Sequence, residues 1–333
     1  MSELLSDTQP PLWPPALLEE WGVLGREAPA DEATLARQLD LPEPVIQHLV
    51  GVYGPLTERL ARRLPTFDQP MVLGINGAQG TGKSTAAEVI AHMLELRGFS
   101  VCRLSIDDLY LTRAERAELA QSVHPLLATR GVPGTHDVRL GLQLLSDLAE
   151  AGPATHLSIP RFDKARDDRR PESQWEPWQG RPHLVVFEGW CVGARPQPEE
   201  ALTEPMNELE RTEDPDGRWR RYVNEQLKGY EALFSQLDDL LMLKAPSFEQ
   251  VYQWRSEQEE ALARTMAAKG EETAGLMSSA QLRRFIDHYE RLTRWILTEM
   301  PERADLVFSL NRQHRVDRIC APSASTSSGE TAL

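Results

Sequence analysis

An octapeptide, GAQGTGKS at 77–84, dictates much of what must surround it. It fits the pattern GxxxxGK[ST], in which glycines let backbone N–H groups turn inward around a phosphate without interference from Cβ atoms. Such a loop belongs between a buried strand and the start of a helix, whose unpaired N–H groups and partial positive charge face the same anion. The flanks agree. Residues 71–76 form a short apolar run, and 84–96 carry Ala86, Ala87, Ile90, Met93 and Leu94 on one helical face, with Gly98 just past the end. Gly77, Ala78, Gln79, Gly80, Thr81, Gly82, Lys83, Ser84 and Thr85 are therefore expected to bind a nucleotide. Lys83 would reach the β- and γ-phosphates and Ser84 would ligate Mg2+.

Further strand-like runs occur at 101–106, 183–187, 240–244 and 305–310, with helical patterns near 137–151, 223–237, 248–269 and 279–300 between them. Strands alternating with helices imply an α/β fold of the P-loop NTPase type, a mostly parallel five-stranded sheet with helices on both faces. Ahead of it lies an N-terminal helical extension, 1–66, loose up to about Pro15. Leu56, Leu60 and Leu64 in it share one helical face, which suits packing or oligomerisation. The P-loop domain is expected over 67–319, with insertions at about 159–182 and 193–219 and a Ser/Thr-rich disordered tail at 320–333. The first insertion, charged and tryptophan-bearing, is assigned to substrate binding; the second, rich in Pro and Glu, to a mobile excursion.

Charge narrows the partners. A net charge of -15 argues against nucleic acid or an anionic membrane, which both require a basic surface. Cys102, Cys191 and Cys320 are widely spaced and form neither a disulfide framework nor a zinc motif. The first twenty residues bear acidic groups and prolines where a signal peptide has a basic start and an apolar run. The expectation is a cytoplasmic protein acting on a small molecule.

Ligands of open α/β sheets bind beyond the carboxyl ends of the strands, and polar groups fall at three such ends: Ser84, the pair Asp107 and Asp108, and Glu188. Phosphoryl transfer to an alcohol needs one carboxylate near the attacking hydroxyl and an acid that helps to hold the metal. Asp107 and Glu188 can divide that work, although an Asp pair read alone serves equally as a turn cap. No NKxD-type guanine reader follows the later strands, which disfavours a GTPase. In the first insertion Arg161, Phe162, Asp163 and Lys164 stand beside Arg166, Arg169 and Arg170, a basic patch in an acidic chain. An arginine fork matches a planar carboxylate, so Arg161 and Lys164 favour an acidic acceptor, while Arg166 and Arg170 read as a solvated face. Arg130, His136 and Asp137 share another connection, where substrate contact competes with backbone bonding and helix capping. Trp175, Trp178 and Trp190 read as core rather than pocket wall.

Five segments then appear in one order: SIDDLYLT (105–112), RGVPGTHD (130–137), IPRFDK (159–164), VVFEGW (185–190) and VYQWR (251–255). Together they resemble the plant-type D-glycerate 3-kinases and their microbial relatives, within the wider group of phosphoribulokinase, uridine kinase and pantothenate kinase-like P-loop kinases. The resemblance spans about 71–310. It implies ATP and Mg2+ as cofactors and transfer of the γ-phosphoryl group to a hydroxyl of a hydroxy acid, D-glycerate first among them. By position it implies that Asp107 is the catalytic base, Glu188 the Walker B glutamate and Arg255 the lid arginine. Substrate-binding roles would fall to Arg130, His136, Asp137, Arg161, Asp163 and Lys164. Leu109 stands where relatives usually carry Phe, and Phe162 where they often carry Tyr, which blurs the pocket shape and leaves the mechanism untouched. A uridine- or pantothenate-kinase-like activity, or a regulatory P-loop ATPase, remains the alternative.

Overall fold

The computed structural model describes residues 11–269 and 277–322. Three helices come first among the described residues: α1 (Pro15–Glu20), α2 (Glu32–Leu39) and α3 (Glu43–Arg63). Each starts for a local reason. Pro15 occupies the first turn of α1, the Asp31 side chain accepts the Thr34 N–H at the head of α2, and Pro44 sits in the first turn of α3. The core strand β1 (Met71–Gly77) follows, then α4 (Lys83–Glu95), β2 (Val101–Ser105), α5 (Arg113–Ser122) and α6 (Val138–Glu150). Four short strands form two small antiparallel pairs: β3 (His156–Ile159) with β6 (Glu176–Gln179), and β4 (Phe162–Asp163) with β5 (Asp168–Arg169). The chain continues through β7 (Leu184–Gly189), α7 (Glu208–Glu213), α8 (Arg218–Gly229), α9 (Glu231–Phe234), β8 (Asp239–Lys244), α10 (Phe248–Lys269), α11 (Ser279–Glu299), β9 (Leu306–Leu310) and β10 (Val316–Cys320).

The main sheet has the order β10-β9-β8-β1-β7-β2, parallel except for β10, which pairs antiparallel with β9. All five anticipated strands are in it, and β10 is an addition. Only Val316 and Ile319 of β10 are buried, too sparse a pattern to mark a strand in advance. Alternate residues of the parallel strands serve opposite layers. Leu73, Val186 and Leu241 face a core shared with α3 and α4, whereas Val72, Val185 and Met242 face one shared with α6, α8 and α11.

The N-terminal helices belong to the first of these layers. Leu56, Leu60 and Leu64 are buried in the same core as the sheet, each contributing about 1.5–3 kcal/mol by leaving water. Trp13 sets its ring edge-on to Phe308 at 5.5 Å and donates Nε1–H to the Val52 carbonyl at 3.0 Å.

The segment 193–219 differs from the mobile excursion expected. It contains α7, and it is tied to α11 by the buried pair Arg291–Glu210 at 2.6 Å and by an Asn207 amide bond to the Asp287 carbonyl at 2.8 Å. Its own Leu202 and Leu209 are buried. The helix expected at 223–237 is two helices, α8 and α9, with the break at Tyr230. Most of the expected tail, 323–333, lies outside the described residues, as do the first ten residues. No helix among the described residues is long and apolar enough to cross a membrane.

Candidate active site

The parallel register assembles the site. Ser105 of β2 and Ile75 of β1 both stand opposite Glu188 of β7, so the loops that leave β1 and β2 converge at the carboxyl end of β7. After β1 the chain turns through Gly80 and Gly82, the latter at φ 84°, where a side chain would be strained. A Cβ on Gly77 would come 2.5 Å from Thr81 Oγ1, so only glycine lets this loop close. Thr81 Oγ1 bonds the Ala78 carbonyl at 2.8 Å, and Lys83 Nζ reaches the same carbonyl at 3.2 Å. No acidic side chain occupies the first turn of α4, where Lys83, Ser84 and Thr85 stand, which leaves its positive end to an external anion.

Ser84 donates its hydroxyl to Glu188 Oε1 at 2.9 Å. These hard oxygens, one hydroxyl and one carboxylate, are a donor set that suits Mg2+ bound chiefly through phosphate oxygens and water. Beyond β2 a single 3-10 turn, Ile106–Leu109, swings Asp107 toward the loop, its N–H held by Ser105 Oγ. Asp107 Oδ1 accepts the Tyr110 hydroxyl at 2.6 Å and Oδ2 accepts Lys164 Nζ at 2.7 Å. Burial pushes the Asp107 carboxyl up, but Lys164, Tyr110 and Lys83 together outweigh it and hold the group below its ordinary range. Tyr110 is pushed well above its ordinary range, first by burial and then by the Asp107 charge, so it stays a neutral donor.

These groups surround a cavity of about 340 Å³, lined also by Gln79, Gly80, Arg130, Trp190, Arg255, Gln258, Phe285 and Tyr289. Larger cavities of about 600 and 550 Å³ open elsewhere and contain none of the P-loop residues. Arg130 is ion-paired with Asp167 and lies 5.5 Å over the Phe162 ring, and its carbonyl accepts the Tyr289 hydroxyl at 2.9 Å. The Arg255 guanidinium is held by Glu259 on the same helix.

The remaining expected site residues are not brought into the cavity. Arg161 spends its fork internally, on Asp108 at 3.0 Å and on Glu176 at 2.5 Å. Asp163 closes the β4–β5 turn by accepting the N–H groups of Ala165 and Arg166. Asp137 caps α6 through the Leu140 N–H at 3.0 Å. His136 is buried behind Tyr110, their rings 4.8 Å apart, with Nδ1 2.7 Å from the Tyr230 hydroxyl. Desolvation pushes its imidazole down to about 4.

Three aromatic residues of the wall were missed from the sequence, Tyr110, Phe285 and Tyr289, while Trp190, expected in the core, is buried there and also lines the cavity. Tyr110 carried a signal, since one 3-10 turn returns a residue three positions later to the same side as Asp107. Phe285 and Tyr289, spaced i and i+4, read as an ordinary core face.

No family model matches the chain. It is 36% identical over 228 residues to Uncharacterized kinase mug58 of Schizosaccharomyces pombe, covering 66% of this chain and 79% of that protein. This chain belongs to that P-loop kinase family. It is an ATP-dependent phosphotransferase by family, and its relatives include a D-glycerate 3-kinase. That protein, the chloroplastic D-glycerate 3-kinase of Arabidopsis thaliana, is 29% identical over 230 residues, 66% of this chain and 46% of the plant protein. The kinase chain thus spans under half of that relative's length. Among solved structures, D-glycerate 3-kinase from Cryptococcus neoformans superposes with a TM-score of 0.61 at 25% identity, covering 80% of this kinase and 99% of that chain.

Proposed function

We propose that this kinase transfers the γ-phosphoryl group of Mg-ATP to a hydroxyl of a small hydroxy acid, D-glycerate above others. The observation that carries the reading is the contact of Asp107 with Lys164 in the same cavity as Lys83 and Ser84. A carboxylate for the acceptor hydroxyl and cations for an acceptor acid are thereby within reach of the phosphate loop. In this reading Lys164 and Arg130 attract the acceptor's carboxylate, and the backbone of 77–84 holds the triphosphate. Ser84 and Glu188 would hold Mg2+, which when bound would supply charge neutralisation for the triphosphate.

The step itself is an in-line displacement. The acceptor hydroxyl oxygen bonds to the γ-phosphorus while the bond to the β–γ bridging oxygen breaks, and that electron pair leaves with ADP. The hydroxyl proton passes to Asp107. Lys83 and Arg255 face the charge that develops on the transferring group. Trp190, Phe285 and Tyr289 line the cavity and limit water around the γ-phosphate. A cytoplasmic location suits the free thiols Cys102, Cys191 and Cys320.

The deciding experiment offers ATP with D-glycerate, L-glycerate, glycerol, uridine and pantothenate in turn. Glycerate-dependent ADP release well above all other acceptors is expected. Preference for a nucleoside or pantothenate, or turnover indifferent to any acceptor, overturns the reading.

A further inference from the structure

Neither oxygen of Asp107 is free. Tyr110 holds Oδ1 at 2.6 Å and Lys164 holds Oδ2 at 2.7 Å. The two partners differ in how firmly they are placed. Tyr110 is 3% exposed, its ring against His136 at 4.8 Å and edge-on to Phe162 at 5.1 Å, so it cannot withdraw without opening the core. The Lys164 side chain is 64% exposed and rises from the β4–β5 turn, whose backbone Asp163 already fixes. Its four-carbon stem can therefore swing while the turn stays in place. A carboxylate bonded to an ammonium group is a poor acceptor for a hydroxyl proton, because uptake of the proton forfeits that charge-assisted bond.

We propose that Lys164 is an acceptor-operated restraint on Asp107: it occupies Oδ2 until the acceptor's own carboxylate draws it away and frees that oxygen for the hydroxyl proton. The inference rests on the proposed function, with Asp107 as base and an acid as acceptor. Lys164 is the exposed member of the pair, and Asp107 keeps the Tyr110 hydroxyl when the ammonium group leaves, so exchanging one carboxylate for another at Lys164 is close to balanced and is tipped by a bound acid. Discrimination then acts on turnover as well as on binding. A neutral alcohol that enters the cavity leaves Lys164 on Asp107, and so does water, which restrains ATP hydrolysis when no acceptor is present.

The test uses the full chain, wild type and Lys164→Met, with D-glycerate, its neutral amide glyceramide, and no acceptor. For the acid, Lys164→Met is expected to lower kcat/KM about ten- to a hundredfold, as expected for loss of a charge-assisted donor. For the amide, kcat should instead rise roughly three- to tenfold, in line with a more basic Asp107, and acceptor-free hydrolysis should rise with it. Adding Asp107→Asn should abolish both gains. Unchanged ATP affinity in Lys164→Met checks that the phosphate loop is intact. Equal losses on acid and amide overturn the proposal, since Lys164 would then act on the phosphates or on the turn alone. That outcome leaves the acid-acceptor reading standing if wild type still prefers glycerate to glyceramide. A wild type indifferent between them removes that reading, and the restraint with it.

Discussion

Arg255 Nη2 lies 2.9 Å from Glu259 Oε2, one turn further along α10, while Glu259 Oε1 accepts the Met277 backbone N–H at 3.0 Å. A buried carboxylate thus joins the cavity arginine to the residue just ahead of α11. If Arg255 acts on the transferring phosphoryl group, Glu259 sets where its guanidinium stands. Glu259→Gln keeps the shape and loses the charge, and should lower kcat roughly three- to thirtyfold with a smaller change in acceptor KM. In an Arg255→Ala background the same change should cost little more, because the two act as one unit. Additive losses in the double variant would show that Glu259 acts on the fold and not through Arg255.

Asp107→Asn should preserve ATP affinity and lower turnover about a hundredfold or more, the usual scale for loss of a general base. The Tyr110 hydroxyl can still donate to the amide oxygen, so the local turn should survive. Steady-state rates with nucleotide binding measured in parallel distinguish this from a damaged loop. Should Glu188→Gln slow the chemical step while Asp107→Asn leaves it intact, the base and metal roles belong the other way round.

The strands were legible because burial on both faces makes them continuous apolar runs, as Leu184, Val185, Val186 and Phe187 illustrate. The phosphate loop was legible because few sequences close such a turn. The features that stayed hidden depend on pairings between distant residues. Arg161 and Lys164 look alike as basic neighbours of Phe162, yet one is claimed by Asp108 and Glu176 and the other by Asp107. The β3–β6 pairing, which sets Ile159 opposite Glu176, brings that glutamate beside Arg161, and no spacing rule announces it. Likewise, the packing of 193–219 hangs on Arg291 and Glu210, 81 positions apart.

Two buried histidines give the protein a sensitivity to acid. His136 and His288 are 6% and 3% exposed, and desolvation pushes each down to about 4 in the folded state from 6.5. Between those values the unfolded chain binds more protons than the folded one, so stability falls as pH drops from 6.5 toward 4. His288 bonds the Arg284 carbonyl through Nδ1 at 2.8 Å, a bond that an asparagine amide can imitate. Denaturant unfolding at pH 7 and pH 5 should therefore show a loss about 2 kcal/mol smaller for His288→Asn than for wild type. An identical loss in both proteins would mean that His288 is protonated in the folded state without penalty.

Arg161 provides the sharpest contrast with Lys164. Its side chain is 24% exposed and its partner Asp108 17%, and Asp108 also accepts the Phe162 N–H at 3.0 Å. Burial pushes the Asp108 carboxyl up and Arg161 pulls it part of the way back, so removing the arginine strands a partly buried acid. Arg161→Ala should therefore cost about 1–3 kcal/mol of stability. The loss of activity should be similar for glycerate and glyceramide, within about threefold of each other, because the hairpin carrying Lys164 shifts while no acceptor contact is lost. Arg161→Lys should recover part of the stability, since it keeps the charge and loses the two-pronged geometry. A different result would restore Arg161 to the acceptor. If Arg161→Ala raises the glycerate KM about ten- to a hundredfold and spares glyceramide, the guanidinium must leave Asp108 and Glu176 for the acceptor's carboxylate during turnover. Unchanged stability together with unchanged rates on both acceptors would show that the pair with Asp108 neither holds the hairpin nor serves the site.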